Sequence, residues 1–558
     1  MQVRKYSSRF ALVFFTLIVF LILFSFKLVF LQIFRSAYLS QLAEKQHNAL
    51  IRLEPRRGTI LDRNLRPLAF NISVSSLFAN PRSMSEHEKE IAIKQLSLIL
   101  KMDPSVIRQR LSRNKYFVWL QRKLPPEITD KIKILKLRGI GFIKESKRYY
   151  PNQSLAAHII GFADIDNRGL EGLEQNYDKY LRGEFGWSQI LRDARQRELS
   201  LERNFVPPKD GFNLVLTIDE TIQYLAERAL DKAMAKHNAK AATIIVMNPR
   251  TGEILALANR PTYNLAEVTS SSIESRTNRA ISYTYEPGSV FKIVVTAAAL
   301  EESAFSESDK INCENGSYRV GNHILHDHHP EGILSFHQVI EQSSNIGVTK
   351  IAQKLGPYKV YRYAQSFQFG RKTEIDLGGE VSGFLKHPHD WSKTSIGAIP
   401  IGQEVTVTPL QLVCAISAIA NDGIYMRPFV VKYIKDNNDQ IIRSFEPKAI
   451  NQVITLLTSQ RTKKILAGAV ENGTGKKSHI DGVAVAGKTG TAQKVVNGLY
   501  SHNKFYASFI GFAPVENPRL AAVVVFDEPH PSYYGGTVAA PVFQEVISDA
   551  LKYIEMKE

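Results

Sequence analysis

EPGSVFKIVVTAAAL, Glu286 to Leu300, breaks the chain at Pro287-Gly288 and then runs on as an apolar segment with almost no polar face. A helix apolar on all sides belongs in a core. A lysine inside it is costly unless it has a partner or a task. At i and i+3, Ser289 and Lys292 share one helix face, about one turn apart. Burial and a second cation each lower a lysine's pKa, which would let Lys292 take the proton of Ser289. Free N–H groups at the helix start can hold a developing oxyanion. A capping serine with a paired lysine fits the same letters. S-x-x-K also recurs at Ser112–Lys115 and Ser501–Lys504, but only Ser289 follows Pro-Gly and heads an apolar run.

On either side of this helix the pattern is α+β. FNLVLTID (Phe212 to Asp219) reads as a strand, with Asp219 as the N-cap of a following helix. That helix is marked by Ile222, Leu225, Ala226, Ala229, Leu230 and Ala233 at helical spacing. ATIIVMNPRTGEILALAN (Ala242 to Asn259) reads as two strands around a turn. VAVAGKTGTAQ, YASFIGFA and LAAVVVFDE supply three more strands between Val483 and Glu528. A last helix is marked by Val538, Val542, Val546, Ala550 and Ile554. Helix, strands, a long helical middle, strands and helix predict an antiparallel sheet built from both ends of the domain.

Two further motifs suit serine chemistry. SSN, Ser343 to Asn345, offers a hydroxyl and an amide that can relay a proton and hold a substrate amide. It also fits a helix N-cap pair. GKTGT, Gly487 to Thr491, brings a cation at Lys488 and a hydroxyl at Thr489 for a substrate carboxylate. Gly490 permits close approach of a ligand to the strand, and the Thr491 N–H is a candidate oxyanion donor. The alternative is a strand-end turn. HILHDHH, His323 to His329, has the residue types of a zinc site. It is read here as a polar loop bordering the cleft, because serine acyl transfer needs no metal. No metal and no cofactor are expected.

The rest of the chain sets the compartment. FALVFFTLIVFLILFSF (Phe10 to Phe26) carries no charge, and the apolar stretch resumes after Lys27 to Phe34. That is long enough to span a bilayer. Arg4, Lys5 and Arg9 precede it, which predicts a cytoplasmic N-terminus. RSAYLSQL is a poor cleavage site, so an uncleaved signal anchor is expected. AYLSQLAEKQ continues it as a helical stalk. The net charge of +17 suits an anionic membrane surface or an acidic polymer, and no arginine-glycine or aromatic-interleaved basic cluster argues for nucleic acid. Two cysteines, Cys313 and Cys414, are too few for a disulfide framework. PPKDG (Pro207 to Gly211) is the expected linker. The expected domains are a tail 1–9, an anchor 10–34, an α+β region 35–210 and a catalytic domain 211–558.

S-x-x-K, an S-x-N element and K-T-G, in this order, are the penicillin-binding and β-lactamase set. The chain resembles class B penicillin-binding proteins of the division type, over nearly its whole length. RRGTILDRN (Arg56 to Asn64), RYYP (Arg148 to Pro151), GLEGLE (Gly169 to Glu174), VTPLQL (Val407 to Leu412) and YYGGTVAAPVF (Tyr533 to Phe543) also stand in family order. The resemblance implies an elongated pedestal domain followed by a serine transpeptidase domain, a five-stranded antiparallel sheet flanked by helices plus an all-helical lobe. It implies that Ser289 is the acylated nucleophile, Lys292 its base, Ser343, Asn345 and Lys488 the relay and donor contacts, and Thr489, Gly490 and Thr491 the substrate strand. The implied reaction is peptidoglycan cross-linking in the periplasm, at the inner membrane. Stem peptides are the implied substrates and β-lactams the inhibitors. The implied partners are a polytopic glycan polymerase of the FtsW type and other division proteins. Elongation-type transpeptidation, D,D-carboxypeptidase or β-lactamase activity, and a non-catalytic penicillin sensor or scaffold remain alternatives. Two departures stand out: Val290-Phe291 between serine and lysine, and Asn248 where an Asp is usual.

Overall fold

The computed structural model describes the backbone of residues 3–39, 48–192 and 198–557, and the side chains of 9–39, 53–187 and 205–557. The chain packs into two compact units, Met1–Arg56 with Gly183–Asp210, and Arg57–Arg182 with Gly211–Glu558.

In the first unit, the apolar N-terminal run forms a helix, Val3–Val29, continued by a π-turn, Phe30–Phe34. Arg9–Phe34 is the one segment among the described residues long and apolar enough to cross a membrane, and none of its apolar window is buried. Residues 37–39 of the expected stalk are helical, and its remainder lies outside the described residues. The same unit holds a three-stranded antiparallel sheet, with Gly186–Arg192 between Asn48–Leu53 and Glu198–Val206.

In the second unit, residues 57–182 form a strand, Pro67–Ala79, paired with Val118–Leu124 and Ile140–Tyr149. Leu77, Ile93, Leu96, Ile107, Leu111 and Leu120 fill the core between this sheet and its helices. Three sequence motifs meet here in one buried ionic knot. Glu174 of GLEGLE receives Arg57 Nε of RRGT at 2.6 Å and Arg148 Nε of RYYP at 2.6 Å. Asp178 takes the other side of Arg57 at 2.6 Å.

Residues 211–558 carry the predicted α+β domain. Helix α1 (Glu220–His237) starts at Asp219, whose carboxylate accepts the Thr221 and Ile222 N–H groups as an N-cap. Strands β1 (Ala241–Met247) and β2 (Ile254–Arg260) follow. The middle of the chain contributes helices α2 (Lys292–Glu301), α3 (Asn345–Leu355), α4 (Pro409–Ala420) and α5 (Leu456–Glu471). Strands β3 (Ala486–Val496), β4 (Leu499–Ala513) and β5 (Leu520–Asp527), then helix α6 (Gly535–Glu555), close the domain. The sheet order is β2-β1-β5-β4-β3, antiparallel throughout, so both ends of the domain do build one sheet.

Alternation along the strands assigns the two faces. Ala242, Ile244 and Val246 of β1, with Ala522, Val524 and Phe526 of β5, pack in one core with α1 and α6. Ile245, Met247, Ala521 and Val523 face the second core, which holds α2, α3 and α4. Helix α2 is buried along its length, from Lys292 to Leu300, as its lack of a polar face demands.

Candidate active site

Ser289 lies in a 3₁₀ turn, Gly288–Phe291, and the α-helix begins only at Lys292. This differs from the continuous helix predicted. The consequence for the pair is small, because i and i+3 eclipse in a 3₁₀ turn. Gly288 is required at the turn: its φ is +60°, and a Cβ there would stand 3.0 Å from Thr491 O. The Ser289 side chain is half-buried and, among the described residues, its hydroxyl has no hydrogen-bond partner.

Lys292 is fully buried. Its Nζ donates to Ser343 O at 2.6 Å and to Asn345 Oδ1 at 2.8 Å, and lies 3.2 Å from Ser343 Oγ. Burial first, then the neighbouring Lys488 cation, push its pKa well below the usual lysine range, and Asp327 pulls it partly back. A neutral amine has two N–H donors. Two fixed carbonyl acceptors can take both, which leaves the lone pair as a base.

Ser343 adopts φ +61°. A non-glycine residue in the left-handed region is strained, and such strain gathers at functional sites. Here it presents both the carbonyl and the hydroxyl of one residue to Lys292. On the other side, Lys488 Nζ donates to Ser343 Oγ at 2.9 Å. Burial pushes Lys488 down to about 7. The Ser343 hydroxyl thus sits between two amines.

The capping reading of SSN is correct for its middle residue. Ser344 caps α3 through Gly347 N at 2.9 Å, which frees Ser343 and Asn345 for the site. The HILHDHH stretch is more ordered than the loop predicted: His323–His326 is a strand paired with Ser317–Val320. Asp327 follows it and accepts Ser344 Oγ at 2.6 Å, Ile346 N at 3.0 Å and the Asn345 N–H. His326 O accepts Asn345 Nδ2 at 3.0 Å. Asp327 therefore fixes the Asn345 backbone and counters the depression of the Lys292 pKa. Sequence reasoning missed it, because nothing in its spacing ties it to SSN.

GKTGT does not end a strand. It opens the long edge strand β3, with Lys488 opposite Ile510 and Thr491 opposite Ala507. Thr489 Oγ1 and Thr474 Oγ1 are hydrogen-bonded at 2.6 Å, and Gly535 N donates to Thr491 Oγ1 at 3.2 Å. A Cβ on Gly490 would strike Ser508 Oγ and come within 2.9 Å of Val290 and 3.0 Å of Pro287 O. The bare backbone at Gly490 is what lets β3 lie against the Ser289 turn. Val290, one of the unexpected pair, is part of that contact, so the departure bears on packing. Cys313 and Cys414 are both free and buried, and Cys313 Sγ lies 3.4 Å from Ser344 Oγ.

A half-buried hydroxyl on a turn, a buried amine of depressed pKa one turn on, a second amine and an edge strand together suit acyl transfer through a serine ester. Comparison with known proteins agrees. Residues 242–548 match the penicillin binding protein transpeptidase domain, and residues 52–216 the penicillin-binding protein dimerisation domain. The chain is 36% identical over 576 residues to stage V sporulation protein D of Bacillus subtilis, covering 100% of this chain and 88% of that protein. It is 34% identical over 509 residues to peptidoglycan D,D-transpeptidase FtsI of Escherichia coli, covering 90% and 84%. Penicillin binding protein 3 of Mycobacterium tuberculosis, solved with aztreonam, superposes with TM-score 0.70 at 26% identity, over 90% of this chain and 97% of that one.

Proposed function

The chain belongs to the penicillin-binding protein transpeptidase family, and from that premise we propose a septal peptidoglycan D,D-transpeptidase that works through an ester on Ser289. It is anchored by residues 10–34, with residues 35–210 as pedestal and 211–558 as the catalytic domain on the extracytoplasmic side. β-Lactams acylate the same serine. A polytopic glycan polymerase and other division proteins are its partners.

In the acylation step Ser289 Oγ gives its proton to Lys292 Nζ and attacks the penultimate D-alanine carbonyl of a donor stem peptide. The N–H groups of Ser289 and Thr491 hold the oxyanion. The C–N bond to the terminal D-alanine breaks, and its nitrogen takes a proton through Ser343, which Lys488 and Lys292 flank. Asn345 positions the donor amide. Lys488, Thr489 and Thr491 receive the donor carboxylate, and Gly490 lets the donor peptide lie close along β3. In the second step an amine of a neighbouring stem attacks the ester, the new amide forms, and its proton returns to Ser289.

The carrying observation is Lys292 Nζ held by Ser343 O and Asn345 Oδ1, within reach of a hydroxyl that Lys488 shares. Labelling of the intact protein by a fluorescent penicillin is expected, and loss of it in Ser289→Ala. Equal labelling of the variant would remove Ser289 as nucleophile. A penicillin ester that hydrolyses within minutes would favour a β-lactamase. A fluorescent fusion should gather at midcell; spread along the side wall, it would point to elongation.

A further inference from the structure

The geometry points to a second ligand site, an anion pocket for a phosphate or phosphodiester, at the opposite end of the sheet from Ser289. A cavity of about 460 Å³ lies among the start of α1, the β1–β2 turn, the β4–β5 turn and the end of α6. Among the described residues its lining holds the cations Arg63, Arg250, Lys557 and Arg519, the last engaged with a partner of its own, and one carboxylate, Asp219. None of its lining residues belongs to the Ser289 site.

The lone acid is already occupied. Asp219 caps α1, and its second oxygen accepts Asn64 Nδ2 at 2.9 Å and Tyr553 OH at 3.3 Å. Lys557 stands 3.7 Å from it and 2.8 Å from the neutral Asn64 Oδ1. Arg250 donates to another neutral group, Asn517 Oδ1, at 2.5 Å. Arg63 reaches Glu253 at 3.4 Å, but Lys432 faces that carboxylate too, at 3.7 Å. Asn248 also lines the cavity. The Arg250 N–H takes its Oδ1 at 3.0 Å, which leaves its amide nitrogen as a donor. Arginine forks, an ammonium and amide donors around a small concavity match a tetrahedral oxyanion with many acceptor sites. Cations gathered around one engaged acid raise the local concentration of anions.

The test uses the full-length protein in a neutral detergent, titrated calorimetrically with inorganic pyrophosphate. Saturable binding of one equivalent is expected. Arg250→Gln and Lys557→Gln should each weaken it about tenfold and leave penicillin acylation of Ser289 unchanged. Both side chains are exposed, so the fold should persist. Absence of saturable binding, or equal binding by both variants, would overturn the site. Competition separates the sources. If dihexanoyl phosphatidylglycerol displaces pyrophosphate better than glycerol phosphate does, the ligand is a lipid headgroup. Equal displacement assigns a soluble phosphorylated polymer. Failure here leaves the Ser289 chemistry untouched, since that is read by labelling alone.

Discussion

Burial lowers the pKa of both lysines in this site, and at Lys292 the charge of Lys488 adds to it. Burial is the larger cause at Lys292, the Lys488 charge the next, with Asp327 opposing both. The sign of each contribution can be tested. Acylation should rise with pH as the amines lose protons and then level off. Lys488→Gln removes the like charge, so the Lys292 pKa rises and the ascending limb moves to higher pH. Asp327→Asn removes the opposing carboxylate, so the limb moves to lower pH. Rate constants for penicillin acylation across pH measure both. Two variants that only scale the rate, with unmoved limbs, would show that these groups act through structure alone. At this scale the sequence told much. Ser289 and Lys292 stood out because a lysine in an apolar run demands a reason, and Lys488 stood out through the K-T-G motif. Asp327 was not, because a carboxylate in a polar stretch demands none.

At the scale of elements, the site is a contact between a turn and a strand edge. The Ser289 turn and β3 are joined through Gly490, whose missing Cβ leaves room for Val290 and Pro287. Gly490→Ala should force the two apart, costing about 1–3 kcal/mol of stability by overpacking and slowing acylation well beyond what that loss explains. Acylation kinetics with a parallel denaturant melt separate the two effects. A variant that acylates at the wild-type rate would mean that β3 need not lie so close. The helices and strands of the catalytic domain were legible from periodicity, down to Asp219 as a cap. Two element bounds were not. Whether Ser289 stands in the helix or in the turn before it, and whether KTGT ends a strand or opens one, depends on what packs alongside. Local sequence carries no record of that.

At the scale of the whole molecule, the motifs of residues 57–182 have a structural task. Arg57, Arg148 and Glu174 form a knot with Glu174 wholly buried. Removing one charge from such a set strands the others. Glu174→Gln should lower stability by about 3–5 kcal/mol, read as a shift of the urea midpoint of the full-length protein, with the fluorescent-penicillin reaction intact in the fraction that remains folded. A shift near zero would make the knot dispensable.

By itself the sequence determined the apolar N-terminal helix, the α+β pattern and the ordered triplet of serine-chemistry motifs. Each is a local or periodic property, and hydrophobic spacing writes it directly into the chain. Only the tertiary structure decided that Lys292, Ser343, Asn345 and Lys488 meet within hydrogen-bonding distance. It alone gave Asp327 a role, by folding its stretch over the start of α3. It alone gathered the cations around Asp219. These contacts join residues far apart in the chain, and their geometry is set by how helices and strands pack.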